Sequence, residues 1–376
     1  MKLESFRPTP RILMGPGPSD VHPRVLEALS RPTVGHLDPQ FQELMSDLMP
    51  MLRSVFQTDN QLTFPVSAPG SAGMETCFVN LVEPGDKVIV CQNGVFGGRM
   101  KENVERCGGH PIMVDSAWGR AVEPEKVESA LKKNPDTKIV AFVHAETSTG
   151  ALSDAKTLAK LAHEHDCLSL VDTVTSLSGS ELRVDSWQLD AVYSGTQKCL
   201  SCVPGISPVT FSDRAQEKIK QRKQKVQSWF LDLGLVMAYW DENSKRTYHH
   251  TAPVNAMYAL HESLLLVLEE GLENCWKRHL KLHHDLVVGL EAIGLEMYVP
   301  PNERVPQLNT VIVPDDIDES FVRSYLLKEY NLEIGAGLGP LAGKVWRIGL
   351  MGQACNRKNI AVCLHALQEA IEKNRG

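Results

Sequence analysis

Between residues 60 and about 215, short apolar runs alternate with stretches of helical periodicity. Runs that are apolar nearly throughout, and are separated by helices, indicate a mostly parallel sheet with helices on both faces. The pattern therefore predicts an α/β fold whose large domain holds a mostly parallel seven-stranded sheet, with ligands bound at the carboxyl ends of the strands. The seven runs are Leu62–Val66, Lys87–Cys91, Pro111–Val114, Ile139–Val143, Leu168–Val171, Ala191–Tyr193 and Ile206–Phe211.

The flanking segments predict an arm and a second domain. Pro16 and Pro18 alternate with glycines, which excludes a helix there. We expect an extended N-terminal arm at 1–20, a large domain at 21–265 and a small C-terminal α+β domain at 266–376. Further predictions are helices that start at Pro23 and at Asp38-Pro39, a basic helix at 213–230, a helical stretch at 254–290, strands at Asn309–Pro314, Leu332–Gly335 and Val345–Leu350, and helices at Phe321–Tyr330 and Asn359–Glu372.

The overall composition limits the class of partner. The 376 residues suffice for about two domains, and the net charge of -7 argues against nucleic acid or an anionic membrane as the main partner. No apolar run reaches the about 20 residues of a membrane span. The N-terminus lacks the apolar core of a signal peptide, and Asn374-Arg375-Gly376 is not a peroxisomal signal of the Ser-Lys-Leu type. We therefore expect a cytoplasmic protein.

The nine cysteines are typical of reduced thiols in a cytosol-like compartment. Cys199 and Cys202 form a C-x-x-C pair, but zinc would need a second pair of ligands, and the sequence has none at the required spacing. We predict no metal site. Small buried side chains are the default interpretation of the pair, with a redox or metal role as the alternative.

A glycine-rich turn, Ser67–Glu75, follows the first apolar run and opens a helix. Free backbone N–H groups at such a turn can bind a phosphate. The turn is not a P-loop, because no Gly-Lys-Ser/Thr sequence follows it.

Two ionisable residues stand after other apolar runs. Lys198 alone would be interpreted as a surface lysine, and Asp172 alone as a turn or helix cap in about half of cases. Together with a phosphate turn, they form the set that a pyridoxal cofactor requires: an amine for its carbonyl, a carboxylate for its ring nitrogen and a phosphate cradle. Phe96 is a candidate to stack on the ring, with core packing as the alternative. Arg347 lies in an apolar strand and requires an anion, either a substrate carboxylate or a structural ion pair.

At these residues the chain resembles the fold-type-I, class V pyridoxal-phosphate-dependent aminotransferases, specifically the alanine–glyoxylate and serine–pyruvate aminotransferase group. The resemblance extends from Gly15 to Gly352. Five blocks in the family's order carry it: His144–Gly150, Val171–Leu177, Tyr193–Lys198, Tyr248–Pro253 and Gly343–Arg347.

The resemblance implies pyridoxal 5'-phosphate as the cofactor. Lys198 would bind it covalently and then move the proton at the substrate Cα, and Asp172 would pair with its ring nitrogen. Val174 and Phe96 would contact the ring, and Thr147 would hydrogen-bond near it. The phosphate would be held by Gly70, Ser71, Ala72 and Gln197, although Pro69 stands where relatives commonly have Ser or Thr between glycines.

The resemblance also implies a homodimer with shared active sites, in which Tyr248 and Thr251 reach the phosphate of the neighbouring subunit. Arg347 would bind the substrate α-carboxylate, and Gly17, Gly35 and Thr147 would line the pocket for a small amino acid or 2-oxo acid.

The implied reaction is a ping-pong transfer of the amino group of alanine or serine to glyoxylate, giving glycine and pyruvate or hydroxypyruvate. Aspartate, ureidoglycine or 2-aminoethylphosphonate as donor are alternatives. A desulfurase would need a nucleophilic cysteine on a mobile loop, and the loop 335–343 has none. A dehydrogenase is disfavoured because the spacing Gly335-x-Gly337-x-Gly339 is wrong and lies late in the chain. A non-enzymatic binding protein is disfavoured because Lys198, Asp172 and Arg347 are all present.

Overall fold

The computed structural model describes residues 3–240 and 246–376. Residues 1–2 of the predicted arm and 241–245 of the predicted large domain lie outside the described residues. The strands are β1 (Ile12–Leu13), β2 (Leu62–Val66), β3 (Lys87–Gln92), β4 (His110–Asp115), β5 (Thr137–Val143), β6 (Ala145–Glu146), β7 (Ala151–Leu152), β8 (Leu168–Asp172), β9 (Ala191–Tyr193), β10 (Ser207–Phe211), β11 (Leu308–Ile312), β12 (Leu332–Glu333), β13 (Gly335–Ala336) and β14 (Val345–Gly349).

The helices lie between and after these strands. They are α1 (Pro23–Leu29), α2 (Pro39–Phe56), α3 (Gly70–Leu81), α4 (Val95–Arg106), α5 (Pro124–Lys133), α6 (Ala155–Glu164), α7 (Asp213–Lys220), α8 (Leu233–Trp240), α9 (Val254–Glu270), α10 (Leu272–Ala292), α11 (Glu319–Tyr330) and α12 (Arg357–Arg375).

All seven predicted strands join one sheet, in the order β2-β10-β9-β8-β5-β3-β4. β10 runs antiparallel to β2 and β9, and the other neighbours are parallel. Residues of β2, β8, β9 and β10 are buried throughout, as their largely apolar sequences predict for a sheet covered on both faces. The predicted α/β class with a mostly parallel seven-stranded sheet is confirmed.

The buried apolar side chains form two large clusters. One extends from Val25 to Cys275 and surrounds the seven-stranded sheet. The other combines Met14 with residues from Leu282 to Ile371. A third, small cluster that includes Ala145, Cys199, Val305, Leu308 and Met351 draws from both parts of the chain.

The C-terminal part is built around a second sheet. β14 lies between β11 and β13 and is antiparallel to both. The N-terminal segment attaches to this part, because β1 pairs in parallel with β12, with Ile12 beside Leu332. The stretch that the sequence predicts as one strand, Leu332–Gly335, is therefore divided between two sheets, with β12 in one and β13 in the other.

The first two helices begin where the sequence places them. α1 starts at Pro23, and α2 starts at Pro39 with Asp38 as its N-cap. The Asp38 side chain accepts a hydrogen bond from the Gln40 N–H, which satisfies one of the free donors at the start of the helix.

The predicted basic helix at 213–230 is too long, because α7 ends at Lys220. After Lys220, the chain makes hydrogen bonds to the end of α3 and to the loop that follows α3, instead of continuing the hydrogen bonds of a helix. The Arg222 guanidinium donates to the carbonyls of Asn80 and Val82, and the N–H groups of Lys223 and Gln224 donate to the Glu83 carboxylate. These acceptors are distant in sequence, so no local pattern indicates them.

The helical stretch predicted at 254–290 is two helices, α9 and α10, that meet at Gly271. Gly271 has φ 84, in the left-handed region that ends a helix and that glycine adopts without strain. Among the described residues, none of the helices combines the length and the apolar character that crossing a bilayer requires.

We predict opposite effects on stability for alanine at two helical glycines. A Cβ at Gly73 in α3 would lie 1.8 Å from Ser207 Oγ, whereas the nearest atom to a Cβ at Gly98 in α4 is Gln92 Oε1, at 3.8 Å. Gly73→Ala should destabilise the fold by about 1–3 kcal/mol through overpacking. Gly98→Ala should be neutral or stabilise it by up to about 1 kcal/mol. Thermal unfolding of the two variants would measure this, and a stable Gly73→Ala variant would contradict the close packing of α3 on β10.

Candidate active site

A cavity opens at the carboxyl ends of β2, β5, β8 and β9, beside the first turns of α3 and α4. This is the edge of the sheet where parallel strands place their ligands. The cavity brings together most of the residues that the sequence singled out: Lys198, Asp172, Val174, Phe96, Thr147, Gly70, Ser71 and Gln197.

Lys198 lies in the turn that follows β9, and its side chain is buried. Its Nζ donates a hydrogen bond to the carbonyl of Pro16. Burial, reinforced by the charge of Arg347, lowers the pKa of Lys198 to about 8. An amine that loses its proton this readily is suited to attack a carbonyl group.

The N-terminal arm lies directly against this lysine. Gly17 has φ +104, and a Cβ there would lie 2.5 Å from Lys198 Nζ, so glycine is required for both reasons. The Ser19 hydroxyl donates to the Lys198 carbonyl at 2.7 Å, and the Ser19 N–H donates to the Gln197 carbonyl at 2.9 Å. The arm is therefore fixed to the turn that carries the amine.

Asp172 is the last residue of β8 and is almost fully buried. Its Oδ1 accepts from the Val174 N–H at 2.8 Å, and its Oδ2 accepts from the Tyr193 hydroxyl at 2.7 Å. Burial raises the pKa of Asp172 to about 6, and the bond from Tyr193 is the largest opposing effect. The hydrogen bond from the Val174 N–H is the one expected if Asp172 caps a turn. The two carboxylate oxygens also keep lone pairs that can accept from a cationic ligand.

The predicted phosphate turn forms the N-terminus of α3. The Ala72 N–H donates to the Pro69 carbonyl at 2.7 Å, and Ala72 does not line the cavity. Gly70 and Ser71 do line it, and their N–H groups belong to the first turn, where a helix has no acceptors of its own. A Cβ on Gly70 would lie 3.3 Å from Val174 Cγ2, so the turn is closely packed against the floor of the cavity.

Gln197 also lines the cavity. Its Oε1 is buried and has no hydrogen-bond partner within the described part of the chain. A buried polar atom without a partner indicates a missing ligand or water.

Phe96 stands in the first turn of α4 and is half-buried. It packs against the large core cluster and also lines the cavity. The residue therefore has a packing role, and its position also allows it to contact a ligand. The guanidinium of Arg99 lies 4.8 Å from the centre of its ring. Arg99 also lines the cavity.

Arg347 is in the middle of β14, and its side chain is buried. Its Nε donates to the Ala336 carbonyl at 2.7 Å and its Nη1 to the Thr147 carbonyl at 2.9 Å. Burial lowers the pKa of Arg347 to about 10. In the parts of the chain that the structure describes, no carboxylate lies within salt-bridge distance of it, so no structural ion pair accounts for this cation.

Gly35, Tyr248 and Thr251 are exposed and do not line the cavity of their own chain. The Tyr248 ring lies 5.1 Å from the ring of His36, which places the 248 segment beside the Gly35 loop. These residues therefore belong to one surface of the protomer rather than to its own cavity.

The cysteines show no sign of chemistry. All nine are free and buried, Cys199 and Cys202 included. Burial raises the pKa of the Cys202 thiol to about 12 and that of Cys199 further still. Both therefore act as small packing residues, and neither is a reactive nucleophile.

Sequence reasoning assigned no role to three residues of this region. Tyr193 donates to Asp172 because β8 and β9 are neighbours, with Asp172 beside Tyr193 in the register. Glu146 is fully buried between the lining residues Ala145 and Thr147, and Arg99 reaches the cavity from α4. The available signal for Glu146 was a charged residue closely following the apolar run Ile139–Val143, whereas strand order is not readable from sequence.

The cavity thus combines a buried amine, a buried carboxylate and a helix N-terminus. Arg347 does not line it, but its guanidinium is bonded to the carbonyl of the lining residue Thr147. This set fits pyridoxal 5'-phosphate, because the N–H groups in the first turn of α3 can bind a phosphate, the amine can bind a carbonyl carbon and the carboxylate can hold a protonated ring nitrogen. The fold and the cavity define an enzyme of the pyridoxal-phosphate type.

A model of the aminotransferase class-V family matches residues 17–351, and the chain belongs to that family. It is a pyridoxal-phosphate-dependent aminotransferase.

Several relatives are glyoxylate aminotransferases by name. The chain is 40% identical to an alanine–glyoxylate aminotransferase of Oryctolagus cuniculus, over 96% of this chain and 93% of the relative. It is 38% identical to a (S)-ureidoglycine–glyoxylate transaminase of Bacillus subtilis, over 96% of this chain and 90% of the relative. A crystal structure of an alanine–glyoxylate aminotransferase from Nostoc sp. matches it with a TM-score of 0.96 and 45% identity, covering 98% of this chain and 97% of the other.

Proposed function

We propose that the enzyme transfers the amino group of alanine or serine to glyoxylate, giving glycine and pyruvate or hydroxypyruvate. The observation that carries the proposal is Arg347, a buried cation close enough to Lys198 to lower its pKa. A substrate whose carboxylate binds this guanidinium has its α-carbon close to the amine. Relatives with different donors in their names share glyoxylate as the acceptor, which supports that half of the reaction.

The proposed roles of the other residues follow from their positions. The cofactor supplies a reactive carbonyl and a protonated ring that accepts electrons when the substrate Cα–H bond breaks. Asp172 holds the proton on the ring nitrogen, since an ionised carboxylate stabilises a cation in contact with it. Lys198 Nζ would remove the proton from the substrate Cα and return a proton to the carbonyl carbon of the cofactor. Its lowered pKa of about 8 permits both proton transfers near neutral pH.

Val174 and Phe96 would confine the ring from its two faces. Gly70, Ser71 and Gln197 would bind the phosphate, and we leave Ala72 out of the donor set because its N–H is already bonded to Pro69. Thr147 would contact the ring and, through its carbonyl, fix the guanidinium of Arg347. Gly17 leaves the space beside Lys198 that a small substrate needs.

We also propose a division into an arm at 1–20, a large domain at 21–265 and a small domain at 266–376. The two large core clusters support a division into two domains, although the change from one cluster to the other falls within α10, between Cys275 and Leu282, and so later than residue 265. In this division, the large domain holds the cofactor and the small domain supplies Arg347.

The first test is an activity panel in which alanine, serine, (S)-ureidoglycine and aspartate are each incubated with glyoxylate and the purified holoenzyme. We expect glycine to form fastest with alanine or serine. Lys198→Ala should lower the rate by about 10³-fold or more, because the amine acts in every proton transfer. Lys160→Ala, at an exposed lysine on α6, is the matched control. Faster turnover with ureidoglycine would reassign the donor, and no turnover with any donor would refute the proposal.

We further propose a homodimer in which Tyr248 and Thr251 of one subunit complete the phosphate site of the other. Their exposure, and their position outside their own cavity, support this arrangement. Gly35 belongs to the same surface and would line the neighbour's pocket in the same way. The cytoplasmic location stays a prediction from the sequence.

Mixing two inactive variants tests the shared site. Lys198→Ala and the double variant Tyr248→Phe/Thr251→Val should each have little activity alone. Subunit exchange should restore about a quarter of the wild-type activity, because about half of random dimers are hybrids with one complete site of two. Each variant incubated alone through the same exchange is the control. A mixture no more active than its components would contradict shared sites.

A further inference from the structure

Glu146 is a buried carboxyl group that the proposed mechanism does not use. It is the second residue of β6, and none of its surface is exposed. A buried carboxylate is costly unless several donors bind it. The groups that donate to Glu146 therefore indicate what it does.

The Glu146 carboxylate binds the beginning of α4. Its Oε2 accepts from the Phe96 N–H at 3.2 Å, and its Oε1 accepts from the Ser148 hydroxyl at 2.6 Å and from the Ser148 N–H at 3.0 Å. The Ser148 Oγ in turn accepts from the Val95 N–H at 2.9 Å. The first two N–H groups of α4 are thus bound by side chains some fifty residues away in sequence.

α4 has no side-chain cap of its own, because Gly94 occupies the N-cap position. A Cβ on Gly94 would lie 2.4 Å from Ser148 Oγ and 2.5 Å from Glu146 Cδ. Because Gly94 has no side chain, there is room for the side chains of Glu146 and Ser148 to cap the helix. A negative charge at a helix N-terminus is also favoured by the helix dipole.

The residue held by this cap is the one that faces the cofactor. The Phe96 N–H donates directly to the Glu146 carboxylate, and the Phe96 side chain lines the cavity. We propose that Glu146 is a positioning residue which, together with Ser148, fixes the first turn of α4 and so sets the angle at which Phe96 stacks on the cofactor ring. This inference rests on the proposed stacking role of Phe96.

The charge of Glu146 also acts on its neighbours. It raises the pKa of Arg347 and opposes the lowering of the pKa of Lys198. Burial raises the pKa of Glu146 itself to about 7, while its bonds from Ser148 oppose that shift.

The test uses Glu146→Gln, Ser148→Ala and a control, Asp318→Ala. Gln keeps the length of Glu, but its NH2 group replaces one of the two oxygens, so it must face either the Phe96 N–H or the donors of Ser148 and one of those hydrogen bonds is lost. Asp318 is the N-cap of α11, accepting from the Ser320 and Phe321 N–H groups far along the chain from the cavity residues. All three variants lose a helix cap, but only the first two lose the cap that holds Phe96.

Two measurements need no substrate: the dissociation constant of pyridoxal 5'-phosphate from the apoprotein and the visible circular dichroism of the bound cofactor. Glu146→Gln should weaken cofactor binding about tenfold and reduce the visible signal, because the ring is held less firmly. Ser148→Ala should show a smaller change of the same sign. Asp318→Ala should lower the melting temperature, because it removes the cap of α11, but leave both measurements at the wild-type values.

In the holoenzyme, Glu146→Gln should lower kcat while the KM of the amino donor changes by less than about twofold, since Arg347 is untouched. Wild-type circular dichroism and cofactor affinity in Glu146→Gln would overturn the inference. If that variant does not fold, Ser148→Ala decides in the same way. Because the cofactor measurements involve no donor or acceptor, they stand even if the proposed substrates are wrong.

Discussion

Four ionisable side chains are buried at or next to one cavity, those of Asp172, Glu146, Lys198 and Arg347. Within the described residues, no salt bridge joins any two of them. Burial raises the pKa of Asp172 and Glu146 and lowers that of Lys198 and Arg347. Each pKa unit corresponds to about 1.4 kcal/mol of differential stabilisation, so burying these four groups together costs free energy. In the proposed function, the protonated ring of the cofactor and the carboxylate of the substrate supply opposite charges that offset part of this cost.

The rest of the fold holds these charges in place. The seven-stranded sheet sets Asp172 and the Lys198 turn at adjacent strand ends. Arg347 comes from a different sheet and is fixed to the first by its bond to the Thr147 carbonyl. The arm covers the lysine from a third direction, through Pro16, Gly17 and Ser19. A change in any of these supports would move one charge relative to the others.

Much of this arrangement is local and was predictable from sequence. The seven apolar runs correspond to the strands, and candidate site residues such as Asp172 stand at the ends of those runs. The remainder depends on contacts between distant segments. Strand order makes Tyr193 the partner of Asp172, and a cap some fifty residues away holds Phe96. Distant residues also explain why α7 ends earlier than predicted. Beyond its end, Arg222 donates to the carbonyls of Asn80 and Val82.

The central claim is that burial at this cavity makes Lys198 the amine that binds the cofactor. The direct measurement is the rate at which the apoprotein forms its visible absorption band with pyridoxal 5'-phosphate between pH 6 and 10, followed by borohydride reduction and peptide mapping. The lowered pKa predicts a rate that rises with pH as the amine loses its proton, with a midpoint near the pKa of about 8, and the pyridoxyl group on Lys198. A label on another lysine, or a midpoint near the ordinary lysine value of about 10.4, would contradict the account.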